Sequence, residues 1–229
     1  MYTLKDGVLT IDDGVKEISA EDFSFEKKDI KSVIIPEGVK KIGDNAFCDC
    51  ENLTSITIPK GVEEIGDCAF CWCKNLTTVT IPESVYIGIF AFKNCAIDNL
   101  DSKCLKIKNG CALSDDGLIV LYGTNVHFTE LVISEGVKSI SAHAFSGFEN
   151  LATVKIPDSV KKIGDSAFDG NENLTTITIP ESVKEVGDFA FAECTSLKNI
   201  IFQGTKEQWE NIEGDFKEDL KNVEIIFEK

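Results

Sequence analysis

The 229-residue sequence contains no arginine, so lysine supplies all 23 of its basic residues against 39 aspartates and glutamates, a formal net charge of −16. Nucleic-acid recognition depends on clustered positive charge and often on arginine forks, and anionic lipid surfaces attract the same basic clusters. The charge balance therefore argues against DNA, RNA and acidic lipid as partners. A cationic protein or polymer surface is compatible with it.

Long apolar runs are also absent from the sequence. No stretch approaches the 18 apolar residues that a transmembrane helix needs, so we expect no membrane insertion. The first residues, MYTLKDGVLTIDDGV, lack a basic start followed by an apolar region, so no secretory signal is visible.

Histidine is scarce, with only His127 and His143 in the chain. Two histidines that the sequence does not place near one another give no basis for a Ser-His-Asp set, and the chain has neither a phosphate-binding G-x-x-x-x-G-K-[ST] motif nor a dinucleotide fingerprint. His143 occupies a variable position just before an Ala-Phe pair, which is typical of a loop. We therefore expect no catalytic residue, no enzyme activity, no cofactor and no metal ligand.

A repeat of 23 residues organises most of the chain. The unit reads L-x-x-I-x-I-P-x-x-V-x-x-I-G-x-x-A-F-x-x-C, and Leu53 to Cys73 is a good copy. The prolines lie 23, 23, 75 and 23 residues apart, and an Ala-Phe pair follows in step. The prolines are Pro36, Pro59, Pro82, Pro157 and Pro180, and the pairs end at Phe47, Phe70, Phe92, Phe145, Phe168 and Phe191. Periods of this length are the signature of stacked repeats.

Each unit predicts one coil of a mostly β solenoid with short helical turns. The L-x-x-I-x-I segment reads as a strand that proline ends, and V-x-x-I-G as a second edge where glycine turns the chain. The aspartate after that glycine suits the N-cap of a short helical turn, at Asp44, Asp67, Asp165 and Asp188. One coil cannot bury its own apolar side chains, so the coils must stack and place their phenylalanines in one interior column.

Two irregular segments interrupt the pattern. The first coil is degenerate, because Asp12 takes the proline position and Asp22-Phe23 replaces Ala-Phe. Two alternating apolar runs near residues 105–122 flank Asp115-Asp116-Gly117, which predicts an inserted β-hairpin. We expect one solenoid over residues 1–229, divided into a degenerate coil (1–30), a first repeat block (31–98), an irregular segment with the hairpin (99–127), a second block (128–203) and a C-terminal cap (204–229).

The unit I-P-x-x-V-x-x-I-G-x-x-A-F-x-x-C resembles the BspA-like (Treponema pallidum-type) leucine-rich repeat family over nearly the whole chain. The segment Gly204 to Ile212 also resembles the end segment that often follows such repeats, with Trp209, Ile212 and Phe216 covering the core of the last coil. The resemblance implies a right-handed, curved solenoid with a role in adhesion or protein binding. It implies no catalytic residues.

The nine cysteines permit three interpretations. Cys50, Cys73, Cys95 and Cys194 occupy one repeat position, which suggests a small buried side chain in a coil corner. Stacking at 23 residues also brings Cys50 and Cys73 within disulfide range. A zinc site built from Cys48, Cys50, Cys71 and Cys73 is the third possibility, although C-x-C pairs are a poorer zinc signature than C-x-x-C. The odd count favours reduced thiols.

The outward strand positions supply the candidate binding residues. Hydroxyl side chains dominate them, while charged and aliphatic residues such as Glu130, Val132 and Ile34 interrupt the row. Solenoids expose such a face to partners, and small hydroxyls allow a partner's backbone to come close. The candidate residues are Ser55, Thr57, Thr78, Thr80, Thr153, Lys155, Thr176 and Thr178.

Our leading hypothesis is a non-catalytic module for protein–protein interaction or adhesion, acting as a monomer on an unidentified protein partner of a host or cell surface. The alternative is a carbohydrate or cell-wall binder, which would be favoured if Trp72 and Trp209 were exposed on a common groove. The family resemblance suggests secretion or surface attachment, whereas the missing signal and the free thiols suit a reducing cytoplasm. Both locations stay open at this point.

Overall fold

A computed structural model describes residues 2–23, 27–82, 85–98, 100–101, 105–114, 117, 119–124 and 127–229. Contacts divide the chain into two compact units, an N-terminal unit of residues 1–110 and a C-terminal unit of residues 111–229. The described residues are mostly β with few short helices, which confirms the predicted fold class.

The N-terminal unit contains eleven strands among its described residues. Parallel pairing joins β2 to β4, β6 to β8, and β3, β5, β7 and β9 in that order, while β1 lies antiparallel to β2 and β10 to β11. Two short 3-10 turns cover Ala20–Asp22 and Lys27–Asp29. The strands are β1 (Tyr2–Lys5), β2 (Val8–Ile11), β3 (Glu17–Ile18), β4 (Ser32–Ile34), β5 (Lys41–Ile42), β6 (Ser55–Thr57), β7 (Glu64–Ile65), β8 (Thr78–Thr80), β9 (Tyr86–Ile87), β10 (Leu100–Asp101) and β11 (Lys106–Lys108).

The C-terminal unit contains ten strands among its described residues. The first sheet pairs β14, β16, β18, β20 and β21 in parallel, and the second pairs β13, β15, β17 and β19 in parallel. Helix α1 covers Lys206–Glu210, and a 3-10 turn covers Phe216–Leu220. The strands are β12 (Cys111–Leu113), β13 (Ile119–Gly123), β14 (Glu130–Val132), β15 (Ser139–Ile140), β16 (Thr153–Lys155), β17 (Lys162–Ile163), β18 (Thr176–Pro180), β19 (Glu185–Val186), β20 (Asn199–Gln203) and β21 (Glu224–Phe227).

The predicted hairpin is confirmed by the antiparallel pairing of β12 with β13. Gly117 adopts a φ of 74°, a left-handed conformation that glycine tolerates. Asp115 and Asp116, the other predicted turn residues, lie outside the described residues. Strand β13 then pairs in parallel with β15, so the hairpin supplies the first strand of the second sheet in this unit.

The repeat sets the register between coils. Parallel pairs join residues that are 23 apart, such as Ser55 with Thr78 and Thr153 with Thr176. Equivalent phenylalanines therefore stack within each unit, with ring centroids 5.2 to 6.0 Å apart. The stacked columns are Phe47, Phe70 and Phe92 in the N-terminal unit and Phe145, Phe168 and Phe191 in the C-terminal unit. Phe23 contacts the first column with a tilted ring, and Phe216 contacts the second edge-on.

The segment from the repeat glycine to the Ala-Phe pair does not open a helical turn, and this expectation was wrong. It forms consecutive hydrogen-bonded turns, because residues such as Asn45 and Asp49 adopt left-handed φ values of 54° and 64° that interrupt a helix. The aspartate is not a cap either. Asp44 Oδ1 instead accepts a hydrogen bond from the backbone N–H of Asp67 in the next coil, at 2.9 Å. The aspartates thus tie neighbouring coils together.

The repeat glycine allows neighbouring coils to approach each other closely, and it does not turn the chain. A Cβ at Gly66 would collide with the Asp44 carboxylate, and one at Gly187 would collide with the Asp165 carboxylate. Neither glycine has a positive φ. Only glycine leaves room at this position for the aspartate of the preceding coil.

The predicted cap is confirmed at the end of the C-terminal unit. Trp209, Ile212 and Phe216 are buried there. The Trp209 ring lies 5.3 Å from that of Phe202 and 5.6 Å from that of Phe216. Thr205 and Gln208 form a capping box that starts α1. The cap therefore closes the core that the last coil leaves open.

Phe70→Ala tests the column in the N-terminal unit. Phe70 is fully buried between Phe47 and Phe92, each 5.2 Å away. We expect the substitution to lower the free energy of unfolding by about 3–5 kcal/mol, since it removes burial and leaves a cavity. Urea titration followed by circular dichroism measures this. The control Tyr86→Ala removes a ring that is 64% exposed and should cost far less. Equal effects of both substitutions would contradict the column.

Candidate functional site

In the N-terminal unit, the predicted residues lie together on the outer face of β6 and β8. Ser55 pairs with Thr78 and Thr57 with Thr80 in parallel register, and all four are exposed. The alternate residue Ile56 is only 2% exposed and points into the core. Period-2 alternation therefore places the four hydroxyls in a compact outward patch.

A groove of about 540 Å³ borders this patch where the strands end. Thr57 and Thr80 form one side of it, and Pro59 and Pro82 form another. The side chain of Glu37 also lines the groove. The proline that ends each strand thus shapes a shallow cleft next to the hydroxyl patch.

In the C-terminal unit, the predicted residues form the middle of two outward columns on the first sheet. Thr153 pairs with Thr176, and Lys155 pairs with Thr178. Lys155 is exposed and the three threonines are half-buried. The columns are Glu130, Thr153, Thr176, Asn199, Glu224 and Val132, Lys155, Thr178, Ile201, Ile226.

Exposed aliphatic side chains belong to the same faces, and the sequence interpretation missed them as site residues. Ile34 is 55% exposed on β4, Val132 49% on β14 and Ile226 40% on β21. The sequence interpretation treated Ile34 and Val132 as breaks in the hydroxyl row. Their position in the repeat was the available signal, because an aliphatic residue at an outward position has to face solvent.

The two tryptophans do not supply a sugar-binding platform. Trp209 is only 7% exposed, since it packs inside the C-terminal cap. Trp72 is half-buried in the N-terminal unit, where the Lys74 ammonium lies 5.5 Å from the centre of its ring. The condition that would favour carbohydrate binding, two exposed tryptophans, is not met.

The cysteines at the repeat corner are hydrogen-bond donors to the backbone. Cys73 Sγ donates to the carbonyl of Phe47, Cys95 Sγ to that of Phe70 and Cys194 Sγ to that of Phe168, each at 3.1 Å. Burial raises the pKa of the Cys194 thiol to about 12. Cys50 and Cys73 are both reduced and buried. The structure thus supports the interpretation as small buried residues and shows no disulfide between them.

Asn171 replaces cysteine at this corner in one coil. Its amide nitrogen donates to the carbonyls of Phe145 and Phe168 at 3.1 and 2.8 Å. Its amide oxygen accepts from the backbone N–H of Phe148 at 2.7 Å. Cysteine and asparagine are interchangeable here because both are small donors that can reach the phenylalanine carbonyl.

A second group of thiols lies nearer the surface of the N-terminal unit. Cys48 and Cys68 are half-buried, and Cys48 Sγ donates a hydrogen bond to the Asp49 carboxylate at 3.4 Å. The neighbouring Cys71 thiol lowers the pKa of Cys48. Among the described residues, no three side chains of His, Cys, Asp or Glu are arranged to hold a metal ion. The four thiols of the zinc hypothesis therefore separate into an inner pair, Cys50 and Cys73, and an outer pair, Cys48 and Cys71.

The position before each Ala-Phe pair is conformationally constrained, although its sequence varies. All six residues there have left-handed φ values between 49° and 57°. Asparagine tolerates this conformation, whereas a bulky aromatic residue is strained in it. Phe189 is such a residue, and it is also 65% exposed. The six residues are Asn45, Cys68, Phe90, His143, Ser166 and Phe189.

A second concavity, of about 530 Å³, lies beside the cap of the C-terminal unit. Phe189, Glu193, Glu218 and Asp219 are among its lining residues. Burial raises the pKa of Asp219, whose carboxylate accepts a hydrogen bond from the backbone of Phe191. Glu218 pairs with Lys221 at 2.6 Å. The repeat pattern does not predict this concavity, because the concavity depends on the packing of the cap.

A family model for the BspA type leucine rich repeat region matches six copies over residues 5–112 and 121–226. The chain belongs to the BspA-type leucine-rich repeat family. This confirms the resemblance carried by the Ile-Pro and Ala-Phe motifs. Members of the family are generally protein-interaction and surface modules and are generally not enzymes.

Solved structures show the same fold. A leucine-rich repeat protein from Eubacterium ventriosum is 24% identical, with a TM-score of 0.51 over 88% of this chain and 69% of its own. One from Bacteroides ovatus is 20% identical, with a TM-score of 0.50 over 97% and 66%. This BspA-type chain thus spans about two thirds of the length of these proteins. No curated protein matches it.

The described helices are too short and too polar to cross a membrane.

Asn171→Ala tests the role of the corner donor in this BspA-type repeat. We expect a loss of about 2–4 kcal/mol in the free energy of unfolding, because buried backbone groups of Phe145, Phe148 and Phe168 lose a partner. Asn171→Cys restores the donor found in other coils and should cost less. Chemical denaturation measures both variants. An alanine variant as stable as the wild type would show that the corner needs no donor.

Phe189→Asn tests the constrained position. We expect a gain of about 1 kcal/mol in the free energy of unfolding, since asparagine tolerates the left-handed backbone. Tyr86→Asn is the matched control, because Tyr86 is 64% exposed but lies on a strand with ordinary φ. Thermal melts compare the variants. Stabilisation by Tyr86→Asn alone would show that the backbone conformation is not the source of strain.

Proposed function

We propose that the chain is a non-catalytic protein-binding module. It engages its partner through the outer faces of β4, β6 and β8 in the N-terminal unit and of the first sheet in the C-terminal unit. The observation that carries this proposal is the placement of exposed aliphatic side chains among the hydroxyls of these faces. Ile34, Val132 and Ile226 are half of the six large apolar side chains that are exposed in the described part of the chain. In the C-terminal unit Ile226 adjoins Ile201 in the outward column that begins with Val132, and neighbouring apolar groups bordered by polar ones are typical of interaction surfaces.

The composition of the faces suits a protein partner. Covering a side chain such as Ile34, which is 55% exposed, contributes about 1 kcal/mol. Threonine and serine have few rotamers to lose on binding, so ordering them costs little free energy. Lys155 is the second of the five residues in its column and offers one charge for a partner's carboxylate.

The backbone of these faces is already in place before binding. Parallel hydrogen-bonded pairing fixes β14, β16, β18, β20 and β21 relative to one another. A preorganised surface gains affinity because little ordering is needed on association. This arrangement supports recognition of a folded partner surface.

We extend the proposal to adhesion at a host or cell surface, which the general role of the family supports. The absence of catalysis belongs to the same proposal, because the family is generally non-enzymatic and His143 is an exposed turn residue. Carbohydrate binding is the weaker alternative, since Trp209 is buried.

The double variant Thr176→Glu/Thr178→Glu tests the face of the C-terminal unit. Proteins captured by the wild-type chain are identified by mass spectrometry, purified and titrated against each variant. We expect the dissociation constant to rise at least about tenfold, because a carboxylate buried without a partner costs more than 1.4 kcal/mol. Circular dichroism verifies that the variant is folded.

The matched control is Thr195→Glu/Asn222→Glu, which adds the same charge at exposed positions outside the first sheet. It should bind like the wild type. Equal loss of binding in both double variants would point to net charge instead of the face. The proposed surface would be rejected if Thr176→Glu/Thr178→Glu and the equivalent variant of the N-terminal unit, Thr57→Glu/Thr80→Glu, both bind the partner like the wild type.

A further inference from the structure

The outer thiol pair of the N-terminal unit lies at equivalent positions of adjacent coils. Cys48 and Cys71 are 23 residues apart, and backbone hydrogen bonds join the two coils on either side of Cys48. Phe47 N–H donates to the carbonyl of Ala69 at 2.7 Å, and Asp49 N–H donates to that of Cys71 at 2.9 Å. Both segments are turns, and stacked backbones joined by such hydrogen bonds lie about 4.8 Å apart, inside the range of about 4.4–6.8 Å that a disulfide accepts between Cα atoms.

The two thiols differ in accessibility and in their surroundings. Cys48 Sγ donates a hydrogen bond to the Asp49 carboxylate at 3.4 Å, and the neighbouring Cys71 thiol lowers the pKa of Cys48. Cys48 is half-buried, whereas Cys71 is only 6% exposed. The inner pair, Cys50 and Cys73, is fully buried. A small oxidant can therefore reach the Cys48 thiol directly, whereas the Cys71 thiol is shielded from solvent.

We propose that Cys48 and Cys71 form a peroxide-reactive dithiol in which Cys48 is oxidised first and Cys71 closes a disulfide between adjacent coils. The Cys48 thiolate attacks hydrogen peroxide, so that an S–O bond forms, the O–O bond breaks and the leaving hydroxide becomes water. The Cys71 sulfur then attacks the Cys48 sulfenic acid. The S–S bond forms, the S–O bond breaks, and the hydroxide leaves as water with the Cys71 proton. Two thiols lose two electrons, and one peroxide becomes two waters.

Electrostatics assigns the two roles. The neighbouring Cys71 thiol lowers the pKa of Cys48, and the Lys27 ammonium acts in the same direction, against burial and the Asp49 carboxylate, to which Cys48 Sγ donates a hydrogen bond. The Cys48 thiol, together with burial, raises the pKa of Cys71. Thiolates are the reactive species, so Cys48 is the attacking residue and Cys71 the one that resolves the sulfenic acid.

Cys68 is the alternative partner within this group. Its thiol also lies near that of Cys71, and burial raises its pKa. It lies three residues before Cys71 in the same coil, so a Cys68–Cys71 disulfide would join two parts of one turn rather than two coils. The product formed by oxidation therefore distinguishes the two pairings.

The test treats the reduced full-length chain with one equivalent of hydrogen peroxide, blocks the remaining thiols with N-ethylmaleimide and maps the peptides by mass spectrometry. We expect a Cys48–Cys71 disulfide as the main product. In Cys71→Ser, dimedone should trap a sulfenic acid on Cys48. In Cys48→Ser, peroxide-driven thiol loss should slow by about tenfold or more, since burial raises the pKa of Cys73, Cys111 and Cys194 and leaves those residues little thiolate.

Cys194→Ser is the matched control, because it removes a half-buried thiol of the C-terminal unit and should oxidise at the wild-type rate. Circular dichroism compares the reduced variants. If Cys48→Ser does not fold, the wild-type chain is oxidised in urea instead and its disulfides are mapped in the same way. In the unfolded chain, the preference for oxidation at Cys48 should disappear. A main product joining Cys68 to Cys71, wild-type oxidation of Cys48→Ser, or the same disulfide pattern in urea would each overturn the proposal.

Discussion

Stacking of equivalent phenylalanine rings is the interaction on which the other features of each unit depend. The rings of Phe47, Phe70 and Phe92 lie parallel and 5.2 Å apart, so any shift of one coil against the next would lose this contact. Aromatic burial is the largest single contribution that one residue of the repeat can make to the core. The column therefore holds the coils in register, and the register in turn determines which side chains face outward.

Small polar groups adapt the backbone to this stacking. The repeat aspartate accepts an N–H from the next coil, as Asp44 does from Asp67, and the corner cysteine or asparagine donates to a phenylalanine carbonyl. Buried backbone groups in a turn need such partners, because an unsatisfied donor or acceptor costs free energy. The glycine before the aspartate supplies the space for this contact. The recurring spacing of the unit therefore places hydrogen-bonding groups between coils as well as apolar residues in the core.

Stacking also leaves the outward positions available for other roles. Strand alternation places Thr57 and Thr80, or Lys155 and Thr178, side by side on a preformed surface with little demand from the core. The same register places Cys48 against Cys71 near the surface of the N-terminal unit. A repeat that keeps its inward residues constant can therefore carry a binding face and a reactive thiol pair on the same coils.

The sequence by itself determined the family, the mostly β solenoid, the hairpin strands and the cap, because a period of 23 residues allows one way of burying the Phe column. Only the tertiary structure decided that Asp44 bonds to the next coil instead of capping a helix, since both roles place an acceptor after glycine. It also decided that the four thiols separate into an outer pair, Cys48 and Cys71, and an inner pair, Cys50 and Cys73. These outcomes depend on contacts between coils and on the backbone φ values of single residues, and the sequence pattern contains neither.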